Sequence, residues 1–298
     1  MHSFGVATAI TGPEGRVWSL AEAYRFCEAM TVAHYENFPV ASLLLPPGKR
    51  RHVSAIYAFA RTADDFADEP GPGDEERLEA LRMWRERLDE CFTGSARHPV
   101  FLALRDTAQR CELPPDLFHR LLWAFESDVS VHRFASREDV LAYCRNSADP
   151  VGRLVLLLFG YRDDLLMSLS DRICTALQLA NFWQDLSVDL EQDRVYLPKE
   201  DLSRFGVSEA DLLQKTPSLA VRALLGEMVS WAQGILEEGK PLLGRVGWDL
   251  KFELRLTYHG GKAILDRVRE AGEGVLDRRP LLSKGDKFML LIRSLLGR

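Results

Sequence analysis

Two stretches of this 298-residue chain carry side chains whose types and spacing suit chemistry. In "YAFARTADDFAD", taken as helical, Asp64 and Asp68 lie one turn apart on one face with Asp65 beside them. Tyr57 and Arg61 continue that stripe toward the N-terminus. In "QLANFWQDLSVDLEQDRVYLP", Asn181, Asp185 and Asp189 repeat the four-residue spacing, and Gln178 falls on the same side. Like charges so placed repel by roughly 0.2–0.5 kcal/mol on an exposed helix and by far more if buried, so each stripe calls for a cation. Carboxylate and amide oxygens without paired histidines or thiolates select a hard ion such as Mg²⁺, which completes its octahedron with water and substrate phosphate. The ligand implied is a phosphate ester, with Arg61, Arg194 and His34 available to neutralise it. No Walker loop or G-x-G-x-x-G occurs, so a nucleotide is not indicated. One D-x-x-x-D on a helix is an ordinary solvated face. Two of them, each flanked by apolar residues, favour the metal.

The elements that must position these stripes read as helices throughout. Apolar residues at three- and four-residue spacing predict helices near 19–33, 50–68, 74–92, 98–111, 115–131, 137–159, 163–191, 218–240, 248–271 and 284–297. Strand-like alternation is scarce, so the expected class is all-α. The breaks, "LLLPPGK", "EPGPGDEE", "CELPPDL", "RVYLPKED" and "DRRPLLSKGD", are short, which predicts one domain over 1–298. A hydrophobic content of 46% is ample for a core, and 38 basic against 44 acidic residues, a net −6, argues against nucleic acid as a partner. Five dispersed cysteines without a C-x-x-C pair give neither a disulfide framework nor a zinc site. With no secretory pattern at the N-terminus and no apolar run near the roughly 20 residues a membrane span needs, a cytoplasmic protein is expected. The C-terminal "SKGDKFMLLIRSLLGR" mixes basic and large apolar residues. It reads as a helix sealing the core or, alternatively, as one lying on the inner membrane face.

Both aspartate-rich segments, together with "HYENFPVASLLLP" at His34–Pro46 and "YCRNSADPVG" at Tyr143–Gly152, resemble the squalene/phytoene synthase family of head-to-head isoprenoid synthases. The resemblance spans about Tyr24 to Asp266 and is strongest toward enzymes that make hydroxysqualene in bacterial hopanoid synthesis. It implies a single-domain isoprenoid-synthase bundle around a central apolar pocket, with both stripes at its mouth holding two or three Mg²⁺ ions and a prenyl diphosphate. Asp64, Asp68, Asn181, Asp185 and Asp189 would be metal ligands. His34, Arg61, Asp65, Arg194 and Tyr196 would hold the diphosphate, Tyr57 and Tyr143 would act catalytically, and Phe38, Ala148, Val151, Gly152 and Gln178 would line the pocket. Phe59, Phe66, Phe182 and Trp183 are either walls or core.

The chain departs from the family where many relatives read "NILRD": here Gln184 stands for the arginine. Gly261 stands where a tyrosine is frequent, and Asn146, Ser147 and Asp149 make "RNSAD" unusually polar. These departures imply an enzyme that ionises presqualene diphosphate and lets water capture the cation, giving hydroxysqualene without a nicotinamide cofactor. The alternatives are a synthase that condenses two farnesyl diphosphates to presqualene diphosphate or squalene, and a noncatalytic scaffold of the same fold. Neighbouring enzymes of the squalene pathway are the expected protein partners.

Overall fold

The computed structural model describes residues 17–33, 46–68, 71–215 and 218–296. Fourteen α-helices occur among them: α1 Leu20–Ala33, α2 Pro47–Asp68, α3 Asp74–Thr93, α4 Pro99–Cys111, α5 Pro115–Ser130, α6 Arg137–Ser147, α7 Asp149–Leu158, α8 Asp164–Gln184, α9 Leu186–Glu191, α10 Lys199–Phe205, α11 Glu209–Leu213, α12 Leu219–Gly239, α13 Trp248–Ala271 and α14 Lys284–Leu296. Two 3₁₀ turns, Lys240–Gly244 and Gly272–Leu276, flank α13. Among the described residues the nearest thing to a strand is one isolated bridge between Arg133 and Val195, so the all-α expectation stands.

The helices group into two compact units. The first takes Met1–Ser130 and Arg153–Arg162. Its centre is aromatic: Phe59 from α2 lies 6.3 Å from Trp84, 6.1 Å from Phe101 and 5.5 Å from Phe118, ring centre to ring centre. Trp84 Nε1 donates to Phe59 O at 3.2 Å, which satisfies the indole where it is fully buried. Phe66 stands edge-on to Trp84 at 5.7 Å. Phe59 and Phe66 are therefore core, and α2 is held by the face opposite its acidic stripe.

The second unit takes Val131–Gly152 and Asp163–Arg298, with α8, α12 and α13 packed on one another. Asp163 caps α8, its Oδ1 accepting from the amides of Leu165 at 2.8 Å and Leu166 at 3.1 Å. Ser136 and Asp139 form a capping box on α6, as do Ser208 and Asp211 on α11. The packing is close enough to need glycine at Gly239 on α12, where a Cβ would sit 2.9 Å from Leu169 O and 3.0 Å from Ile173 N of α8.

Two expected helices are divided. The span 137–159 breaks at Ala148, because Pro150 near the start of α7 has no N–H to give the carbonyl four residues back. The span 163–191 breaks at Asp185, whose backbone (φ −92°, ψ 5°) leaves the helical range. The short α10 and α11 and both 3₁₀ turns fall in stretches without a long apolar period.

Candidate functional site

The first acidic stripe lies on α2, within the first unit. Arg61 bridges its neighbours, Nη1 to Asp64 Oδ2 at 3.1 Å and Nη2 to Asp65 Oδ1 at 2.6 Å. The cation that the stripe demands is thus supplied by its own helix. Both carboxylates stay about two-fifths exposed, and Asp68 at the helix end is exposed, so the oxygens remain accessible. Burial pushes the phenol of Tyr57, one turn before Arg61, above its ordinary range, and it keeps its proton. His34 and Phe38 lie outside the described residues.

The second stripe lies at the junction of α8 and α9, within the second unit. The break at Asp185 leaves its spacing intact: Asp185 N donates to Asn181 O at 2.8 Å, and Asp189 N donates to Asp185 O at 2.9 Å. Asn181, Asp185 and Asp189 therefore still step up successive turns. Asn181 is exposed and Asp189 partly so. Burial raises the Asp185 carboxyl above the usual carboxylate range, against the pull of the Arg279 guanidinium, which forms an ion pair with its Oδ1. Gln184 beside it is only 5% exposed and donates from Nε2 to Pro280 O at 2.6 Å.

Beyond α9 the chain turns back, with Arg194 N donating to Asp189 O at 2.8 Å and Val195 N to His132 O at 2.9 Å. This brings Tyr196 against Phe182, 4.3 Å between ring centres, with Tyr143 5.8 Å from Phe182. Tyr143 and Tyr196 thus sit together in one buried aromatic cluster with Phe134. Trp183 is fully buried core.

Gly152 faces Ser170 and Cys174 on α8. Val151 is exposed, Ala148 is buried, and Gln178 is partly exposed on α8. Of the polar "RNSAD" residues, Asn146 Nδ2 donates to Ala142 O at 2.9 Å within its own helix, and Asp149 Oδ1 accepts from Thr175 Oγ1 at 2.9 Å. Ser147 Oγ is buried with no hydrogen-bond partner among the described residues. A Cβ at Gly261 would lie 2.3 Å from Leu177 Cδ2 on α8, so that leucine would have to turn aside for a side chain.

A family model described as squalene/phytoene synthase matches residues 31–286. The chain belongs to the squalene/phytoene synthase family. It is 35% identical over 236 residues to hydroxysqualene synthase of Sinorhizobium fredii, covering 78% of this chain and 80% of that protein. It is 30% identical over 267 residues to phytoene synthase of Thermus thermophilus, covering 89% of this chain and 90% of that protein. The solved structure of squalene synthase HpnC from Alicyclobacillus acidocaldarius superposes with a TM-score of 0.81 at 41% identity, over 85% of this chain and 95% of that chain. The protein is an enzyme of head-to-head isoprenoid synthesis, from a family whose substrates are prenyl diphosphates.

The donors of the two stripes would fit Mg²⁺. Every side-chain donor in the two stripes is a carboxylate or amide oxygen, the set a hard ion prefers. Among the described residues, no three His, Cys, Asp or Glu side chains gather to hold a metal unaided. Mg²⁺ commonly takes one or two carboxylates and draws its remaining ligands from water and substrate phosphate.

Sequence reasoning missed Arg279 and its segment. Residues 277–283 follow the second 3₁₀ turn and border a cavity of about 650 Å³ whose walls include Arg267, Arg278, Arg279 and Pro280. Arg267 is committed to Asp286, 2.9 Å to each oxygen, and to Glu270 at 2.7 Å. The signal was the arginine doublet in "DRRP", which reads as a plain helix break.

Proposed function

We propose that this enzyme ionises presqualene diphosphate and lets water capture the rearranged cation, releasing hydroxysqualene and diphosphate. The observation that carries the water step is Ser147: a buried hydroxyl without a partner among the described residues, at the polar break between α6 and α7. Such a group costs roughly 1–3 kcal/mol if left unsatisfied and so favours a bound water or substrate oxygen.

The carbon–oxygen bond breaks with its electron pair leaving on the diphosphate. The cyclopropylcarbinyl cation rearranges, the water oxygen forms the new carbon–oxygen bond, and a proton is lost from that oxygen. Asp64 and Asp68 in the first unit, and Asn181, Asp185 and Asp189 in the second, would each offer oxygens to Mg²⁺, which would supply charge stabilisation to the leaving group. Arg61 and Arg279 rest on these carboxylates and can offer guanidinium N–H groups to phosphate oxygens. Tyr57, protonated, donates a hydrogen bond. No step consumes a reductant.

A coupling reaction of two farnesyl diphosphates is the second reading, favoured by Arg279. It places a guanidinium beside Asp185 and so makes good the charge that Gln184 lacks. Incubating purified protein and MgCl₂ with each diphosphate, without reductant, separates the two by lipid analysis. Hydroxysqualene from presqualene diphosphate supports the proposal; turnover of farnesyl diphosphate alone overturns it.

The outward face of α14 extends the reading to a peripheral membrane contact. Phe288 and Leu295 are 62% and 69% exposed, with Lys284, Lys287 and Arg293 exposed on the same helix. A lipid surface would receive the apolar product.

A further inference from the structure

Two consecutive residues at the second stripe engage two consecutive residues far along the chain: Gln184 with Pro280, 96 positions on, and Asp185 with Arg279. Both contacts lie within the second unit. The first is a short bond, 2.6 Å, from an almost fully buried amide to the carbonyl of a proline whose φ is fixed by its ring. The second joins a carboxylate to a guanidinium that is still 48% exposed. The buried contact holds the segment, and the accessible one leaves the cation within reach of a ligand.

We propose that Gln184 is a positioning residue for Arg279. By anchoring Pro280 it keeps the Arg279 guanidinium on Asp185, where the guanidinium neutralises the stripe before substrate arrives and then turns to the substrate's phosphate oxygens. This rests on the stripe being a diphosphate site, as proposed above, but on neither of the two reactions. Residue 184 carries no charge, and the cation beside Asp185 is delivered from residue 279 instead. Arg267, tied to Glu270 and Asp286, is spent on holding α14 to α13 and does not substitute for it.

The arrangement makes opposite demands on two ligands. Arg279 competes with a metal for Asp185 but attracts diphosphate. The test uses the full chain with manganese(II), followed by its electron paramagnetic resonance signal, and inorganic diphosphate in MgCl₂, followed by calorimetry. Arg279→Gln weakens diphosphate about tenfold, the loss of one charge-assisted hydrogen bond, while manganese binds as tightly as before or more tightly. Gln184→Met, which fills the same volume without a donor, shifts both affinities in the same directions. The double variant is no weaker for diphosphate than Arg279→Gln. A general loss of structure would weaken both ligands together, and that result overturns the assignment. So do wild-type diphosphate affinity in Gln184→Met, losses that multiply in the double variant, or a wild-type chain that binds no diphosphate. Since no prenyl substrate is used, failure of the lipid analysis leaves this result standing, and the reverse also holds.

Discussion

Ser147 tests the water step at the scale of a single atom. Its hydroxyl is buried and has no partner among the described residues, whereas its neighbours Asn146 and Asp149 spend polar groups on Ala142 and Thr175. Removing a hydrogen-bonding group that structure needs costs stability, but removing one that lacks a partner costs little. Ser147→Ala is therefore expected to melt within a degree or two of the wild type and to release diphosphate from presqualene diphosphate at a similar rate. The hydroxylated share of the lipid product should fall about tenfold, the worth of one hydrogen bond to the captured water, with alkenes formed by proton loss taking its place. An unchanged product ratio would remove Ser147 from the water's surroundings. The same scale shows why the site was half legible. Asp64, Asp68, Asn181, Asp185 and Asp189 announce themselves because carboxylates at helical spacing repel and need a reason to be together. Arg279 meets Asp185 only through the fold, with nothing local to mark it. Gly152 and Gly261 read from the sequence as choices about substrate, and the fold adds that both lie against side chains of α8.

At the scale of elements, apolar periodicity located most of the long helices within a few residues, since each buries one face. It ran through the breaks at Ala148 and Asp185 because apolar residues keep their spacing on both sides. A proline at the second position of α7 and the turn at Asp185 changed the backbone without changing the pattern. Periodicity also cannot say which apolar face is covered, and α14 shows the consequence. Leu290 and Ser294 are both buried, while Phe288, Met289 and Leu295 point outward. Its exposed lysines and arginine suit an anionic bilayer. Wild-type protein is expected to float with vesicles of anionic phospholipid and to be released by high salt. Phe288→Glu with Leu295→Glu should cut the bound fraction at least tenfold, since each large apolar side chain contributes roughly 1.5–3 kcal/mol when buried. Equal flotation of wild type and variant would leave α14 without this role.

At the scale of the whole molecule, a buried histidine and a half-buried glutamate in different units pull stability in opposite directions as pH changes. His52 is packed in the first unit, its Nδ1 2.9 Å from Thr107 Oγ1 and 3.1 Å from the Tyr24 hydroxyl. Burial first, and then the positive charge of Arg51, push it down to about 4. The unfolded chain takes up this proton below about 6.5, so the unfolded state binds more protons between those values. Its stabilisation is complete above pH 6.5 and is lost as pH falls toward 4. Glu253 on α13 has a buried Oε2 with no hydrogen-bond partner among the described residues, and burial alone lifts its carboxyl to about 7. Here the folded state holds the proton longer, from about 4.5 upward, so stability falls as pH rises to about 7 and then levels. Through the shared window the two slopes largely cancel in the wild type. Glu253→Gln removes one of them. The variant is expected to unfold several degrees above the wild type at pH 8, for a gain of about 2 kcal/mol. That advantage should shrink to nothing near pH 4.5, and the variant alone should lose stability steadily as pH falls below 6.5. Melting curves from pH 4 to 8 decide it. A variant no more stable than wild type at pH 8 would mean that Glu253 is ionised in the folded protein and that water or a partner reaches it.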